Sequence, residues 1–174
     1  MILYVNGEDF SAGARAVNDF SFANDDFKYV ALGLKPHPQN LSVSYGMHLS
    51  KMLKLALVCE AEAQSTNERI LETTYAYLNN INPKQYTTVI IGWSLVKNAD
   101  MHEQIYNLHK LLSKKKIPHL FFNAVSDMSF IPQEMRKKWK SNFIEPYNNS
   151  LSTKDHLFWA QYLFKHLTTN NINI

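Results

Sequence analysis

The sequence holds one cysteine, Cys59, so no disulfide framework can brace it. Cys59 sits in an apolar run and reads as a buried structural thiol, which fits a reducing cytoplasm. No apolar run approaches the length of a membrane span. The first residues, Ile2-Leu3-Tyr4-Val5, form a strand pattern and not the charged and apolar regions of a signal peptide. Charge of one sign is also lacking: 18 Lys and Arg face 15 Asp and Glu, a net of +3. The basic residues make no stripe. Lys114-Lys115-Lys116 ends a helix, where cations complement the dipole. Arg136-Lys137-Lys138, beside Trp139, comes without a nucleic-acid module, so no nucleic-acid partner is expected. His102-Glu103 and His109 lack the spacing of a zinc-binding helix and read as surface residues. No repeat or low-complexity tract appears, and the 174 residues are read as one domain, 1–174.

What is present alternates between two periods. Short apolar runs at Ile2–Val5, Leu55–Cys59, Thr88–Ile91 and His119–Asn123 read as buried parallel strands. Between them lie helical patterns. Tyr45, Leu49 and Met52 share one face, as do Met101, Ile105, Leu108 and Leu112. Ser65-Thr66-Asn67-Glu68 resembles a capping box opening a helix through Ile70, Thr74, Tyr77 and Leu78. A last helix carries Trp159, Ala160, Leu163 and Leu167, and Trp93 and Trp159 read as core. Such alternation implies an α/β domain of three layers, a parallel sheet flanked by helices. Ligands of such sheets bind at the strands' carboxyl ends. Those ends are residues 6–9, 60–67, 92–94 and 123. The stretch from Asn18 to Asn40 has little periodicity and is expected to form a loop and lid.

The strand ends, taken in order, resemble the SGNH (GDSL-type) hydrolases, and most closely a group encoded by bacteriophages. The first block of that group reads roughly Asn-Gly-Asp-Ser-Phe-Thr-Ala-Gly. Here it is Asn6-Gly7-Glu8-Asp9-Phe10-Ser11-Ala12-Gly13. AVNDFSFANDD and PHPQNLSVSYG are similar to the segment that follows. STNERI resembles a Ser-Ser-Asn-Asp-Arg-Ile motif, IIGWS the third block, and DHLFWAQYL the last, in which a histidine precedes Trp-Ala. The resemblance implies a flavodoxin-like fold, a hydrolase of small or carbohydrate-linked esters without a cofactor, and a place in the host cytoplasm. It also implies roles: a nucleophile in the first block, His156 as general base, and Asn67 as a side-chain donor to the oxyanion.

The departures bear on the chemistry. Asp9 stands in the serine's place and Glu8 in that of the preceding aspartate. Gln64 replaces an oxyanion glycine, Ser94 stands where many relatives have asparagine, and Thr153 where an acid often orients the histidine. The segments after Ser94 and before His156 are shorter than in relatives. Gly92 is retained. A carboxylate beside His156 would form an ion pair and hold the imidazolium.

Each candidate has two readings. Asp9 is a helix cap or a catalytic carboxylate, and Asn67 a first-turn polar residue or an oxyanion donor. His156 is a base or a polar helix start. Ser11 reads as a helix-start hydroxyl, and Ser94 as a strand-end hydroxyl within reach of a ligand. His37, between Pro36 and Pro38, is a rigid loop residue that would reach over the site if its loop closes. Glu8, Asp9 and His156 as metal ligands are the lesser option, and no metal is expected. Two functions therefore stand open: an ester hydrolase rebuilt around Asp9, His156 and Asn67, with Glu8, Gln64, Gly92, Ser94 and His37 lining the substrate, or a non-catalytic descendant that binds a small molecule or a protein.

Overall fold

The computed structural model describes residues 1–82, 85–94, 99–123, 142–144, 152–170 and 172. Five strands form one parallel sheet: β1 (Ile2–Gly7), β2 (Ala56–Cys59), β3 (Thr87–Trp93), β4 (His119–Asn123) and β5 (Phe143–Ile144), in the order β2-β1-β3-β4-β5. Ile2 stands opposite Ala56 on one side and Thr87 on the other, and the β1–β3 ladder runs as far as Gly7 opposite Gly92. Among the described residues six α-helices accompany the sheet: α1 (Asp9–Ala12), α2 (Pro38–Ser42), α3 (Tyr45–Leu53), α4 (Asn67–Asn80), α5 (Ala99–Lys114) and α6 (Thr153–Thr169).

Alternation along each strand sends side chains to opposite faces, and both faces are apolar because helices cover both. Leu3, Val5, Ile90, Leu120 and Phe122 meet Tyr45 and Leu49 of α3 and Trp159, Ala160 and Leu163 of α6. Tyr4, Val89, Ile91 and Phe121 meet Ile70 and Leu78 of α4 and Met101, Ile105, Leu108 and Leu112 of α5. The expected α/β fold is thus observed, with Trp93 and Trp159 in the core. Two strand expectations change. β2 is an edge strand and only partly buried, and β5 pairs with β4 over two residues, too few to leave a hydrophobic pattern.

Local boundaries move for identifiable reasons. Helix α4 is capped by Thr66, whose hydroxyl accepts the Arg69 N–H (3.3 Å), one residue later than the capping-box reading. Asn6 and Gly7 lie past the apolar run Ile2–Val5 but still belong to β1, and α1 is a single turn closed at once by Gly13 in the left-handed region (φ 68°). The stretch after it is an ordered loop with 3₁₀ turns at Ala23–Asp25 and Val30–Leu32. The buried Asn40 carboxamide staples it, accepting the N–H groups of Val17 (3.1 Å) and Asn18 (2.9 Å) and donating to the Phe20 carbonyl (2.8 Å).

Asn6 ties the sheet to α4. Its side chain is buried; Oδ1 accepts the Gly7 N–H (2.8 Å), and Nδ2 lies 3.0 Å from the Ile70 carbonyl and 2.9 Å from Thr74 Oγ1. Asn6→Ala leaves these groups unsatisfied in a dry setting, and is expected to lower stability by about 2 kcal/mol in urea unfolding. A change within error would show that water replaces the carboxamide.

Candidate functional site

The strand order reverses direction between β1 and β3, and their carboxyl ends are where a parallel sheet opens a crevice. β1 delivers Glu8 and Asp9 there, β3 delivers Ser94, and the segment after β2 brings Gln64 and Asn67 alongside. Gly7 and Gly92 make this approach possible. A Cβ on Gly92 would lie 2.6 Å from Ser11 Oγ and 2.7 Å from Phe122.

Asp9 lies in the first turn of α1 but does not cap it. The N-cap is Glu8, whose side chain makes no capping bond. Asp9 Oδ1 instead accepts the backbone N–H of Gln64 at 2.7 Å. Gln64 adopts a left-handed backbone (φ 59°), the conformation that favours glycine, and this turns its N–H toward the carboxylate. Glu8 is half-buried, and desolvation raises its carboxyl above the usual range; the Ser94 hydroxyl bonds to it and opposes this, while the charge of Asp9 adds to it.

Asn67 faces Ser94 as a clamp. Its Oδ1 accepts the Ser94 N–H (2.9 Å) and its Nδ2 donates to the Ser94 carbonyl (3.1 Å). The carboxamide therefore fixes the end of β3. Glu8, Asp9, Gln64, Asn67 and Ser94 are brought together, with Gly92 beneath them.

His156 is not joined to them. It lies in the first turns of α6, fully buried, with its ring stacked on Phe10 (4.7 Å, 13°). The Tyr45 N–H donates to its Nδ1 at 3.3 Å, and Nε2 has no hydrogen-bond partner among the described residues. A backbone N–H can only donate, so Nδ1 is bare and the proton of the neutral ring sits on Nε2. That is the opposite tautomer from a general base that receives a proton at Nε2. Its pKa is lowered to about 4, chiefly by burial and also by the nearby His48 charge, with Asp155 opposing both. The expected ion pair with Asp9 is therefore corrected: among the described residues no hydrogen bond or ion pair links the two, and burial favours the neutral ring.

His37 is corrected in the same way. It does not reach over the site but lies buried inside its own loop, between Phe20 and Tyr29, with Nε2 3.4 Å from Asp26 Oδ2. Ser11 is buried at the end of α1, its Oγ 3.0 Å from the Tyr45 hydroxyl. Thr153 opens α6, whose cap is Ser152. Arg136, Lys137, Lys138 and Trp139, and the segments after Ser94 and before Ser152, lie outside the described residues.

Two features escaped the sequence reading. Tyr45 sets the tautomer of His156 through its backbone, which no side-chain pattern announces. His109, read as a surface residue, bonds through Nδ1 to Nε2 of the buried His119 at 2.8 Å. Among the described residues no group of three or more His, Cys, Asp or Glu is placed to hold a metal ion. No described helix is long and apolar enough to cross a membrane.

No protein-family model matches the sequence, and no curated protein is significantly similar to it. A solved structure does match. It is a carbohydrate esterase whose active site is described as displaying divergent catalytic and non-catalytic binding functions. The match covers 97% of this chain and 68% of that one, with a TM-score of 0.65 and 14% identity. The fold is thus one that a carbohydrate esterase also has. At this identity the likeness speaks for the fold alone, a flavodoxin-like parallel sheet flanked by helices.

Proposed function

We propose that the protein is a non-catalytic relative of SGNH-type esterases, which binds a small hydroxyl-bearing ligand of carbohydrate type. The bond from the Gln64 N–H to Asp9 Oδ1 carries this reading. By the motif resemblance, Asp9 takes the nucleophile's place and Gln64 that of an oxyanion-hole donor. Such a donor works by standing ready for charge that develops in the transition state. Here a resident carboxylate already occupies it. The tautomer of His156 supports the same reading, because a proton on Nε2 leaves no base for a hydroxyl at position 9.

The ligand class follows from the groups that remain. Glu8, Asp9 and Ser94 offer mainly acceptors, which suit sugar hydroxyls and repel an ester's acyl oxygen. A carbohydrate esterase fold with non-catalytic binding in its active site is a precedent for this use. The resemblance to a bacteriophage-encoded group extends the proposal to a single-domain protein acting in the cytoplasm of an infected host.

Both wild type and Asp9→Ser are expected to stay unlabelled by a fluorophosphonate probe and to leave p-nitrophenyl acetate at its background rate. Titration with neutral monosaccharides is expected to shift the Gln64 and Ser94 amide resonances in wild type and not in Asp9→Ala. Labelling at Ser11 or Ser94 would overturn the reading. So would turnover by Asp9→Ser that disappears when His156→Ala is added.

A further inference from the structure

The segment that carries Gln64 has a second face. Where it leaves β2, Glu60, Ala61 and Glu62 form one side of a cavity of about 330 Å³, closed on the other side by the loop around Leu32, Leu34 and Lys35. This volume lies at the small end of the range for ligand sites, about 300–1,000 Å³. We propose that the cavity binds a free α-amino acid with an aliphatic side chain, its carboxylate on Lys35, its ammonium on Glu60, and its side chain between Leu32 and Leu34. The site is distinct from the β1–β3 crevice and does not depend on the function proposed for it.

The charges decide the class. Arg69 also lines the cavity, but its guanidinium is already engaged: Nε and Nη2 donate to Glu62 Oε2 (3.2 Å) and Oε1 (3.0 Å), and Nη1 to Glu72 (3.1 Å). That fork satisfies Glu62 as well. Lys35 and Glu60 remain. Neither side chain makes a hydrogen bond or ion pair among the described residues, although both line the same small space. The lining charges cancel, two basic against two acidic, so neither a simple anion nor a simple cation is matched. A ligand that carries both signs is.

The walls decide the rest. Leu32 and Leu34 are 45% and 53% exposed, apolar surface that an aliphatic chain would cover. Cys59 adds to the apolar side, since burial pushes its thiol up to about 12 and keeps it neutral. No aromatic ring lines the cavity, so a sugar has no stacking platform here.

The test is a calorimetric and NMR titration of the intact protein with L-leucine, leucinamide, N-acetyl-leucine and glucose. Leucine is expected to saturate and to shift the amides of Leu34, Lys35 and Ala61. Leucinamide lacks the carboxylate and N-acetyl-leucine the ammonium, and each is expected to bind at least about tenfold more weakly, as suits loss of a charge-assisted contact. Lys35→Met and Glu60→Gln are each expected to weaken leucine by a similar factor. Lys35→Met should leave leucinamide unchanged, because that ligand no longer uses the lysine. Neither side chain has a hydrogen-bond or ion-pair partner among the described residues, so the variants are expected to keep the wild-type urea midpoint. The proposal is overturned if leucine does not saturate, if N-acetyl-leucine binds as tightly as leucine, if neither substitution changes leucine affinity, or if glucose saturates the same amides.

Discussion

Gly7→Ala is expected to lower the unfolding free energy by about 3 kcal/mol, a large fraction of a domain's stability. Two costs act together. Gly7 has φ 146°, a region that L side chains rarely adopt, and leaving it disturbs the end of the β1–β3 ladder. A Cβ there would also stand 2.6 Å from the Gly92 carbonyl, a backbone atom that cannot swing away. Left-handed strain costs roughly 1–2 kcal/mol and overpacking about 1–3 kcal/mol. Gly33→Ala separates the two costs. Gly33 has φ 63° but nothing within 4 Å, so its alanine variant should lose only about 1 kcal/mol. Urea midpoints at equal slope give both values. Equal losses at the two positions would mean that the close approach of β1 and β3 is looser than described.

Stability is expected to fall as the pH drops from about 6.5 toward 4. His119 and His156 are both lowered to about 4 by burial, so each stays neutral in the fold over a range where the unfolded chain binds a proton. The unfolded state then holds more protons, and stability rises with pH across that window. The contribution is fully present above about 6.5 and is lost as the pH falls to the folded value. It is on the order of 3 kcal/mol for each histidine. His119 has a further reason to resist protonation. Its Nδ1 donates to the Ile117 carbonyl (2.8 Å), which leaves Nε2 to accept from His109, and a proton on Nε2 would set two donors face to face. Urea unfolding of wild type and His156→Phe between pH 7.5 and 4.5 reads this out. Phenylalanine keeps the stack on Phe10 and cannot titrate, so the variant should lose roughly half as much. A flat wild-type profile would show that both rings reach solvent.

The sheet and its flanking helices were legible because they rest on periodicity. Val89, Ile90 and Ile91 are apolar whichever face they point to, and Met101, Ile105, Leu108 and Leu112 recur at helical steps. The crevice was legible in part, since the end of a parallel strand is a fixed place in the topology. Topology named the strand ends that hold Glu8, Asp9, Gln64, Asn67 and Ser94, and the motif resemblance picked these residues out within them. Their bonds were not legible. The motif that names His156 gives its position in the chain but not its rotation about α6, and packing against Phe10 turns it inward. Nothing local tells that Asn67 spends its carboxamide on the backbone of Ser94. His37 looks poised between two prolines, yet the aromatic neighbours that enclose it come from residues 20 and 29. Burial of a polar ring is decided by distant partners, and a single sequence does not display them.

The place of β1 also has a kinetic side. It is synthesised before the other described strands, yet it has a described strand on each side, β2 on one flank and β3 on the other. Its second flank cannot close until Thr87–Trp93 has been synthesised, and closing so long a loop is entropically slow. Until then Ile2-Leu3-Tyr4-Val5 is a short, uncharged, β-prone segment with no settled neighbour, the kind that pairs with other chains. A central strand made before its partner thus stays open to pairing with other chains until β3 arrives.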